Sequence, residues 1–339
     1  MRAIVHTITG GPEVLSLVSR EDPVPGPGEV RVRVHVSGVN PTDWKARLGG
    51  PQPAGPFDER VPNQDGAGVV DAVGDGVDLA RVGERVWIWE AAWRRRDGTA
   101  QQALVLPARQ AVALPDGASF DVGASLGIPA LTAHRALTQA DGGPDRLAAG
   151  ALDGRTVLVA GGAGAVGHAA IQLARWAGAT VVTTVSSPAK AALATAAGAD
   201  HVVDYRSDDA VAAIRAVAPD GVHVIVEVAP AVNAALDVAV AAPDAVVAFY
   251  ATDGGEEMVV PVMKSMARNL RWQGVLVYTV SAAAKDAAVA DVAAAVTDRA
   301  MEVGEEHGLP LHRFPLERTG DAHDAVEGGA VGKVLIDVV

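Results

Sequence analysis

Hydrophobic and polar residues alternate in the first part of the chain. Across residues 30–36, valines at every second position alternate with arginine and histidine, which is the period-two pattern of a half-buried strand. Shorter β-like runs follow at 68–73, 85–88 and 102–106, and Pro- and Gly-rich turns such as 23–28 separate them. The pattern predicts an irregular, mostly β region.

Near residue 123 the pattern changes to apolar strand candidates that alternate with helical segments. One helix is predicted after Ser207, Asp208 and Asp209, a capping residue followed by first-turn acids. An Ala-rich helix is predicted from Ser281 to Val303, ending at Gly304. The six strand candidates predict an α/β fold with a doubly wound parallel sheet. They begin near residues 155, 180, 201, 222, 245 and 272.

A glycine-rich turn joins the first of these strands to the helix that follows it. An apolar run at 157–160 leads into Gly-x-Gly-x-x-Gly, and a helical segment and a second apolar run at 181–185 come next. This order is the context that a dinucleotide-binding motif requires. The glycines permit a tight turn and close approach to a pyrophosphate, whose charge suits the helix N-terminus. The predicted contacts are Gly162, Gly164, Ala165, Val166 and Gly167.

The segment after the second strand indicates which dinucleotide is bound. NAD-preferring sites place an acidic residue about 20 positions after the motif, where it binds the ribose 2′-hydroxyl. Residues 186–190 contain no carboxylate but offer two hydroxyls and an ammonium, groups that suit a 2′-phosphate. We therefore expect NADPH, although the serines have a second interpretation as plain loop and the lysine as a solvated helix residue. The predicted contacts are Ser186, Ser187, Lys190 and Tyr205.

Composition narrows the classes of protein. Hydrophobic residues make up 49% of the 339 residues and charged residues 20%, which is typical of globular domains, and the length suits two of them. The net charge of −13 argues against binding to nucleic acid or anionic membranes. The chain has no cysteine, which excludes disulfides, thiolate zinc sites and cysteine nucleophiles. Without a signal-peptide core or a long apolar run, it is expected to be cytoplasmic.

Several segments surround the glycine turn in an order that is specific as a set. The segments 38–43 (Gly-Val-Asn-Pro-Thr-Asp), 63–68, 83–86 and 128–133 precede it, and 332–335 (Gly-Lys-Val-Leu) ends the series. Over essentially its whole length the chain resembles the medium-chain dehydrogenase/reductase superfamily, and within it the zinc-free, zeta-crystallin-like quinone oxidoreductases. The resemblance implies a six-stranded Rossmann domain inserted into a smaller, mostly β GroES-like catalytic domain. The expected bounds are 129–279 for the former, and 1–128 plus 280–339 for the latter.

The chain departs from the zinc members of that superfamily at the metal ligands. Asn40 stands at the position of their cysteine ligand and Gln64 at that of their histidine. Amides are not competent zinc ligands, so no metal is expected and the usual activation of an alcohol is lost. Reduction of an electron-poor acceptor by NADPH becomes the better interpretation, because its developing oxyanion needs only hydrogen-bond donors.

The resemblance implies candidate catalytic residues in the first domain. Asn40 is expected to donate a hydrogen bond to the acceptor oxygen, with Asp43 and Gln64 beside it. Asn40 and Asp43 have an alternative role in stabilising a turn by side-chain to backbone hydrogen bonds. Relatives often carry a tyrosine soon after this aspartate, but this chain has Trp44 and Lys45 there. Water is therefore the expected proton source, and the loop 47–60 is expected to set specificity.

The nicotinamide contacts are expected by position. Thr132 lies in a segment that begins a helix beside the nicotinamide in the family, though it has an alternative as an ordinary helix residue. Ligands of such sheets bind at the carboxyl ends of the strands, which adds the loop after the fifth strand and the segment after the sixth, the latter with an alternative as sheet core. Lys333 has two interpretations, as a residue that reaches the site or as a solvated side chain, and we favour the second. We interpret His323 as a surface helix residue. The added contacts are Tyr250, Ala251, Leu276 and Val277.

Three functions remain open from the sequence. The first is NADPH-dependent transfer of hydride to a quinone or an α,β-unsaturated carbonyl. The second is an enoyl-thioester or biosynthetic tailoring reductase, which the missing loop tyrosine disfavours. The third is a non-catalytic, crystallin-like NADPH-binding protein. The resemblance also implies a homodimer in which the sixth strand, near Arg271 to Val277, pairs across a twofold axis.

Overall fold

The computed structural model describes residues 1–50, 58–206 and 208–339, and the chain divides into two compact units. The first unit comprises Met1–Ile128 and Leu311–Val339, and the second comprises Pro129–Pro310. Ser207 and residues 51–57 of the predicted specificity loop lie outside the described residues.

The N-terminal part of the first unit is mostly β-strand, as its alternating pattern predicts. The burial of β3 alternates along its first half, and its valines at 30, 32 and 34 are fully buried while the residues between them are partly exposed. The elements are β1 (Arg2–Val5), β2 (Ser16–Ser19), β3 (Glu29–Val39), α1 (Pro41–Arg47), β4 (Asp65–Val73), β5 (Arg85–Ile88), β6 (Ala103–Pro107), β7 (Ala111–Ala113) and α2 (Phe120–Leu137).

The second unit is a six-stranded parallel sheet with helices between its strands. Its strand order is β10-β9-β8-β11-β12-β13, so the order reverses between β8 and β11, as in a doubly wound sheet. The predicted α/β fold is confirmed. Its elements are β8 (Thr156–Ala160), α3 (Ala165–Trp176), β9 (Thr180–Val185), α4 (Pro188–Ala196), β10 (His201–Asp204), α5 (Ala210–Val217), β11 (Val222–Glu227), α6 (Pro230–Val240), β12 (Ala241–Phe249), α7 (Val262–Met266), β13 (Arg271–Gly274) and α8 (Ala282–Thr297).

The C-terminal segment rejoins the first unit. It forms β14 (Leu311–Pro315), α9 (Thr319–Glu327) and β15 (Lys333–Asp337). β15 pairs antiparallel with β3 and parallel with β14, in a sheet of order β14-β15-β3-β4-β5-β7 to which β6 adds through β3. β15 is therefore an interior strand. Its apolar residues at 334, 335 and 336 are buried in the core of this unit.

Two predicted helix boundaries can be compared with the structure. α5 begins after Asp209, whose Oδ1 accepts a hydrogen bond from Ala212 N at 3.1 Å, as the capping pattern predicts. α8 begins after Ser281 but ends at Thr297, so the predicted end at Val303 is wrong. Arg299 adopts a left-handed backbone with φ of 57°, which cannot continue a right-handed helix.

The second domain boundary also differs from the prediction. Residues 280–310, which we expected in the first domain, belong to the second unit. The buried carboxylate of Asp291 on α8 explains this, because its partners His134, Arg146 and Leu147 all lie in the second unit. Its Oδ2 lies 2.8 Å from His134 Nε2 and accepts a hydrogen bond from Leu147 N at 2.7 Å, and Arg146 Nε donates to its Oδ1 at 2.8 Å. The segment after α8 is tied in the same way, since Gln172 Nε2 donates to the carbonyl of Glu302 at 3.0 Å.

Among the described residues, no helix is long and apolar enough to cross a membrane.

Replacing Asp291 by alanine is expected to destabilise the second unit by about 3 kcal/mol, because the buried His134 side chain and Leu147 N–H lose the carboxylate they are hydrogen-bonded to. Burial opposes ionisation of Asp291, but hydrogen bonds from His134 and Arg146 outweigh it and lower its pKa from 3.8 to about 2. The wild type should therefore lose this contribution as the pH falls from about 4 through about 2. Urea unfolding of both proteins measures it. The exposed Asp286→Ala on the same helix should change stability by less than about 1 kcal/mol, because exposed charged groups contribute little even when they are paired. Equal effects of the two substitutions would contradict the assignment.

Candidate nucleotide site and Asn40 cluster

The glycine turn of the second unit is shaped by two close approaches. A Cβ on Gly162 would lie 2.2 Å from Thr183 Oγ1, and one on Gly167 would lie 2.4 Å from the carbonyl oxygen of Gly161. Larger residues would therefore separate helix from strand. Gly164 precedes α3 as its N-cap and supplies no side-chain hydrogen bond, so the N–H groups of the first helical turn remain available to an anion.

The residues predicted to bind a 2′-phosphate lie together after β9. Lys190 Nζ donates to Ser186 Oγ at 3.2 Å, and Ser187 Oγ accepts from Lys190 N at 3.3 Å, which caps α4. Tyr205 N donates to the carbonyl of Val185 at 3.1 Å, and Tyr205 is 51% exposed. Lys190 therefore places an ammonium at the carboxyl end of β9, where NAD-preferring sites place a carboxylate.

A cleft of about 530 Å³ opens at the carboxyl ends of β12 and β13. Three of the predicted nicotinamide contacts, Tyr250, Ala251 and Leu276, line it. Thr132 and Val277 are buried and are not among the described residues that line the cleft. Apolar walls with a few polar groups are typical of sites for small molecules and cofactors.

The first unit contains a buried polar group around Asn40. We call the side chains of Asn40, Asp43, Asp65 and Lys333 the Asn40 cluster. Asn40 Nδ2 donates to Asp65 Oδ2 at 2.7 Å, and Lys333 Nζ donates to Asn40 Oδ1 at 2.7 Å. Lys333 Nζ also lies 3.7 Å from Asp65 Oδ2. All four residues are at most 3% exposed, so these contacts are shielded from solvent.

Asp43 stabilises the turn that leads into α1. Its Oδ2 accepts a hydrogen bond from Asn40 N at 2.7 Å, which is half of a capping box. Burial raises the pKa of Asp43 to about 8, and the nearby Asp65 carboxylate contributes in the same direction. Asp43 thus holds the backbone of Asn40 in place, the alternative role that the sequence left open.

The two amides at the former metal positions are engaged within the fold. Asn40 Oδ1 accepts from Lys333, and Gln64 Oε1 accepts from Ala92 N at 3.0 Å. The Asn40 cluster has an amide at the position of the cysteine ligand and an ammonium 3.7 Å from Asp65 Oδ2, and neither group suits Zn²⁺. In the part of the chain that the structure describes, no group of three or more His, Cys, Asp or Glu is arranged to hold a metal ion.

Two residues were interpreted wrongly from the sequence. Lys333 is not solvated but 1% exposed, and His323 is not on the surface but fully buried, with Nε2 2.9 Å from Asn63 Oδ1. A lysine that follows a glycine at the start of an apolar strand gave no sign of burial. Its partners are close only because β15 pairs with β3, far away in the sequence.

Two glycines make room for the charged groups of the cluster. A Cβ on Gly127 would lie 2.0 Å from Asp65 Oδ1, and one on Gly38 would lie 2.1 Å from the carbonyl oxygen of Ala124 and 3.1 Å from Lys333 Cε. Asp65 sits against the backbone of α2, and both of its oxygens accept from Ile128 N, at 2.9 and 3.0 Å. The cluster therefore requires small residues at these positions.

Comparisons with known proteins agree with this architecture. Two family models match, an alcohol dehydrogenase GroES-like domain over residues 26–116 and a zinc-binding dehydrogenase domain over residues 165–294. The human quinone oxidoreductase is 30% identical, over 99% of this chain and 97% of the relative. The chain belongs to the medium-chain dehydrogenase/reductase superfamily. Another member of the superfamily, the quinone oxidoreductase of Lama guanicoe, is 31% identical over the same shares.

Solved structures of the superfamily are similar over the full chain. An NAD-dependent alcohol dehydrogenase has a TM-score of 0.86 at 28% identity and covers all of both chains. A mycobacterial protein solved in complex with NADPH has a TM-score of 0.80 at 29% identity, over 99% of each chain. The fold is therefore shared by proteins described with either coenzyme.

Gly127→Ala is expected to destabilise the protein by about 1–3 kcal/mol, because the new methyl group displaces the Asp65 carboxylate. Alanine has the higher helix propensity, so a loss of stability would be due to this clash. Gly320→Ala on α9 is the matched control, since its Cβ would meet no atom closer than 3.5 Å. Thermal unfolding measures both variants, and an unchanged melting temperature for Gly127→Ala would contradict the described packing of Asp65.

Proposed function

We propose that this chain is a zinc-independent, NADPH-dependent oxidoreductase that transfers hydride to a quinone or an α,β-unsaturated carbonyl. The observation that carries the proposal is the engagement of both amides at the former metal positions, Asn40 by Lys333 and Gln64 by Ala92. Without a metal to activate an alcohol, the superfamily's hydride chemistry suits acceptors that are already electron-poor. The quinone oxidoreductases among the relatives support this choice.

The choice of NADPH rests on the residues after β9. Lys190 and Ser186 are hydrogen-bonded to each other there, and they would hold a 2′-phosphate by charge and hydroxyl donation. The glycine turn and the first turn of α3 would hold the pyrophosphate. Tyr250, Ala251 and Leu276 would line the nicotinamide side. Their cleft lies at the carboxyl ends of β12 and β13, where such sheets bind ligands.

Bound NADPH would supply the hydride. The role of the protein is to stabilise the negative charge that develops on the acceptor oxygen. The amide of Asn40 is the proposed hydrogen-bond donor. Asp43 holds the backbone of Asn40. No tyrosine stands in the loop after Asp43, so solvent is the proposed source of the proton that completes the product.

We also propose a homodimer formed through β13. β13 is an outer strand of the parallel sheet, and outer strands with apolar surroundings favour pairing. Val262, Met263 and Met266 precede it with exposed side chains, and Leu276, which follows it, is 52% exposed. Light scattering should give twice the chain mass of 34.5 kDa, and a monomer at micromolar concentration would contradict the proposal.

Lys190→Ala is expected to raise the Kd for NADPH by about tenfold or more, because charge-assisted hydrogen bonds contribute about 1.5–3 kcal/mol. The Kd for NADH should change little, since NADH carries no 2′-phosphate. Fluorescence titration of the reduced coenzyme measures both constants. Lys264→Ala removes an exposed lysine on α7 and is the control. Equal weakening of NADPH and NADH binding would exclude a role for Lys190 in coenzyme choice.

The wild type is expected to oxidise NADPH when a quinone or an enone is added, as followed by stopped-flow absorbance at 340 nm. Asn40→Ala should lower the hydride-transfer rate by about 100-fold, the usual cost of one oxyanion donor. Turnover of enoyl thioesters alone would favour a tailoring reductase. Tight NADPH binding without turnover of any acceptor would favour a non-catalytic role, and would contradict the proposed function.

A further inference from the structure

The Asn40 cluster contains a buried lysine, whose ammonium has lost its hydration. Lys333 is 1% exposed and stands at the start of the interior strand β15. Lysine is almost never fully buried unless it is paired, because an ammonium loses its hydration. Burial lowers the pKa of Lys333, while the carboxylates of Asp65 and Asp43 oppose that shift. Its partners therefore have to compensate for the lost water.

The surroundings of Lys333 are built to admit it. Leu335 pairs with Gly38 across β15 and β3, and a side chain at Gly38 would come within 3.1 Å of Lys333 Cε. The lysine stem thus packs beside Gly38, where the carbonyl oxygen of Ala124, 2.1 Å from the site of a Cβ, also excludes a side chain. At its end, Nζ meets Asn40 Oδ1 at 2.7 Å and lies 3.7 Å from Asp65 Oδ2.

The two charged partners of Asn40 determine which way its amide faces. Burial raises the pKa of Asp65, and the nearby ammonium of Lys333 opposes that shift. In the ionised pair the ammonium carries donors only and the carboxylate acceptors only. Asn40 therefore turns Oδ1 to Lys333 and Nδ2 to Asp65, and a flipped amide would face a donor with a donor and an acceptor with an acceptor. An amide nitrogen carries two N–H groups, and Asp65 takes one of them. Neither Asp65 nor Lys333 uses the second N–H group.

We propose that Lys333 is a positioning residue that fixes the amide of Asn40 for donation to the acceptor oxygen, and that its ammonium supplies the positive charge which a metal provides in the zinc relatives. The inference rests on the proposed function. A charge-assisted hydrogen bond to Oδ1 polarises the amide and strengthens its N–H donors. Lys333 acts through Asn40 and is not itself a proton donor in this proposal.

A double-mutant cycle tests whether Lys333 acts through Asn40. The proteins are the wild type, Lys333→Met, Asn40→Ala and the double variant, with Lys264→Met as a control that removes an exposed lysine. Lys333→Met should lower kcat for a quinone about 10- to 100-fold, with KM within about threefold. Because Asn40 already accounts for this loss, the double variant should be no slower than Asn40→Ala.

Lys333→Gln separates the hydrogen bond from the charge. Its amide can still donate to Asn40 Oδ1 but carries no charge, so its kcat should lie between those of the wild type and Lys333→Met. If Lys333→Met does not fold, Lys333→Gln takes its place in the cycle. The Kd for NADPH should be unchanged in each variant, because the residues proposed to bind it belong to the second unit.

The outcomes separate the inference from the function on which it rests. Additive losses in the double variant, a raised KM with unchanged kcat, or a Lys333→Met enzyme as fast as the wild type would each overturn the positioning role while the wild type remains active. A wild type that oxidises NADPH with none of the acceptors would contradict the proposed function and the inference together.

Discussion

The candidate chemistry of the first unit depends on the groups that replace water around one buried ammonium, that of Lys333. Lys333 is excluded from water by its position on an interior strand, and an unpaired charge there would be costly. Asn40 and Asp65 satisfy it, Asp43 and Ile128 hold these two residues, and Gly38 and Gly127 leave the space. Hydrogen bonds thus join Lys333, Asn40, Asp65 and Asp43 into one polar cluster, in which Asp43 Oδ1 is buried without a partner. Such networks favour one conformation of their members.

In the second unit, glycines again leave space for close contacts, here around the candidate nucleotide site. A parallel sheet collects the carboxyl ends of its strands on one edge, and the reversal of strand order beside β8 opens that edge to a nucleotide. Gly162 and Gly167 keep α3 close to the sheet, while Ser186 and Lys190 place donors and positive charge after β9. The glycines thus shape the backbone of the nucleotide site, and Ser186 and Lys190 add its polar and charged side chains.

The sequence pattern predicted correctly those elements that depend only on residues close together in the chain. The alternating valines at 30–36, the glycine turn and the Asp209 cap are determined by neighbours in the sequence, and the structure has each of them. Burial of Lys333 and His323 depends on partners near residues 40 and 63, brought close by β15 and α9. The assignment of α8 to the second unit depends in the same way on Asp291 and His134. The periodicity of hydrophobic residues carries no information about contacts between residues so far apart in the sequence.

Hydride transfer in the absence of a metal is the central claim, and the zinc content of the active protein tests it most directly. The purified chain should be assayed with NADPH and a quinone before and after exhaustive dialysis against a chelator, with zinc counted per chain in each sample. The account predicts a constant rate and zinc far below one ion per chain. A rate that rises and falls with one bound zinc per chain would contradict it.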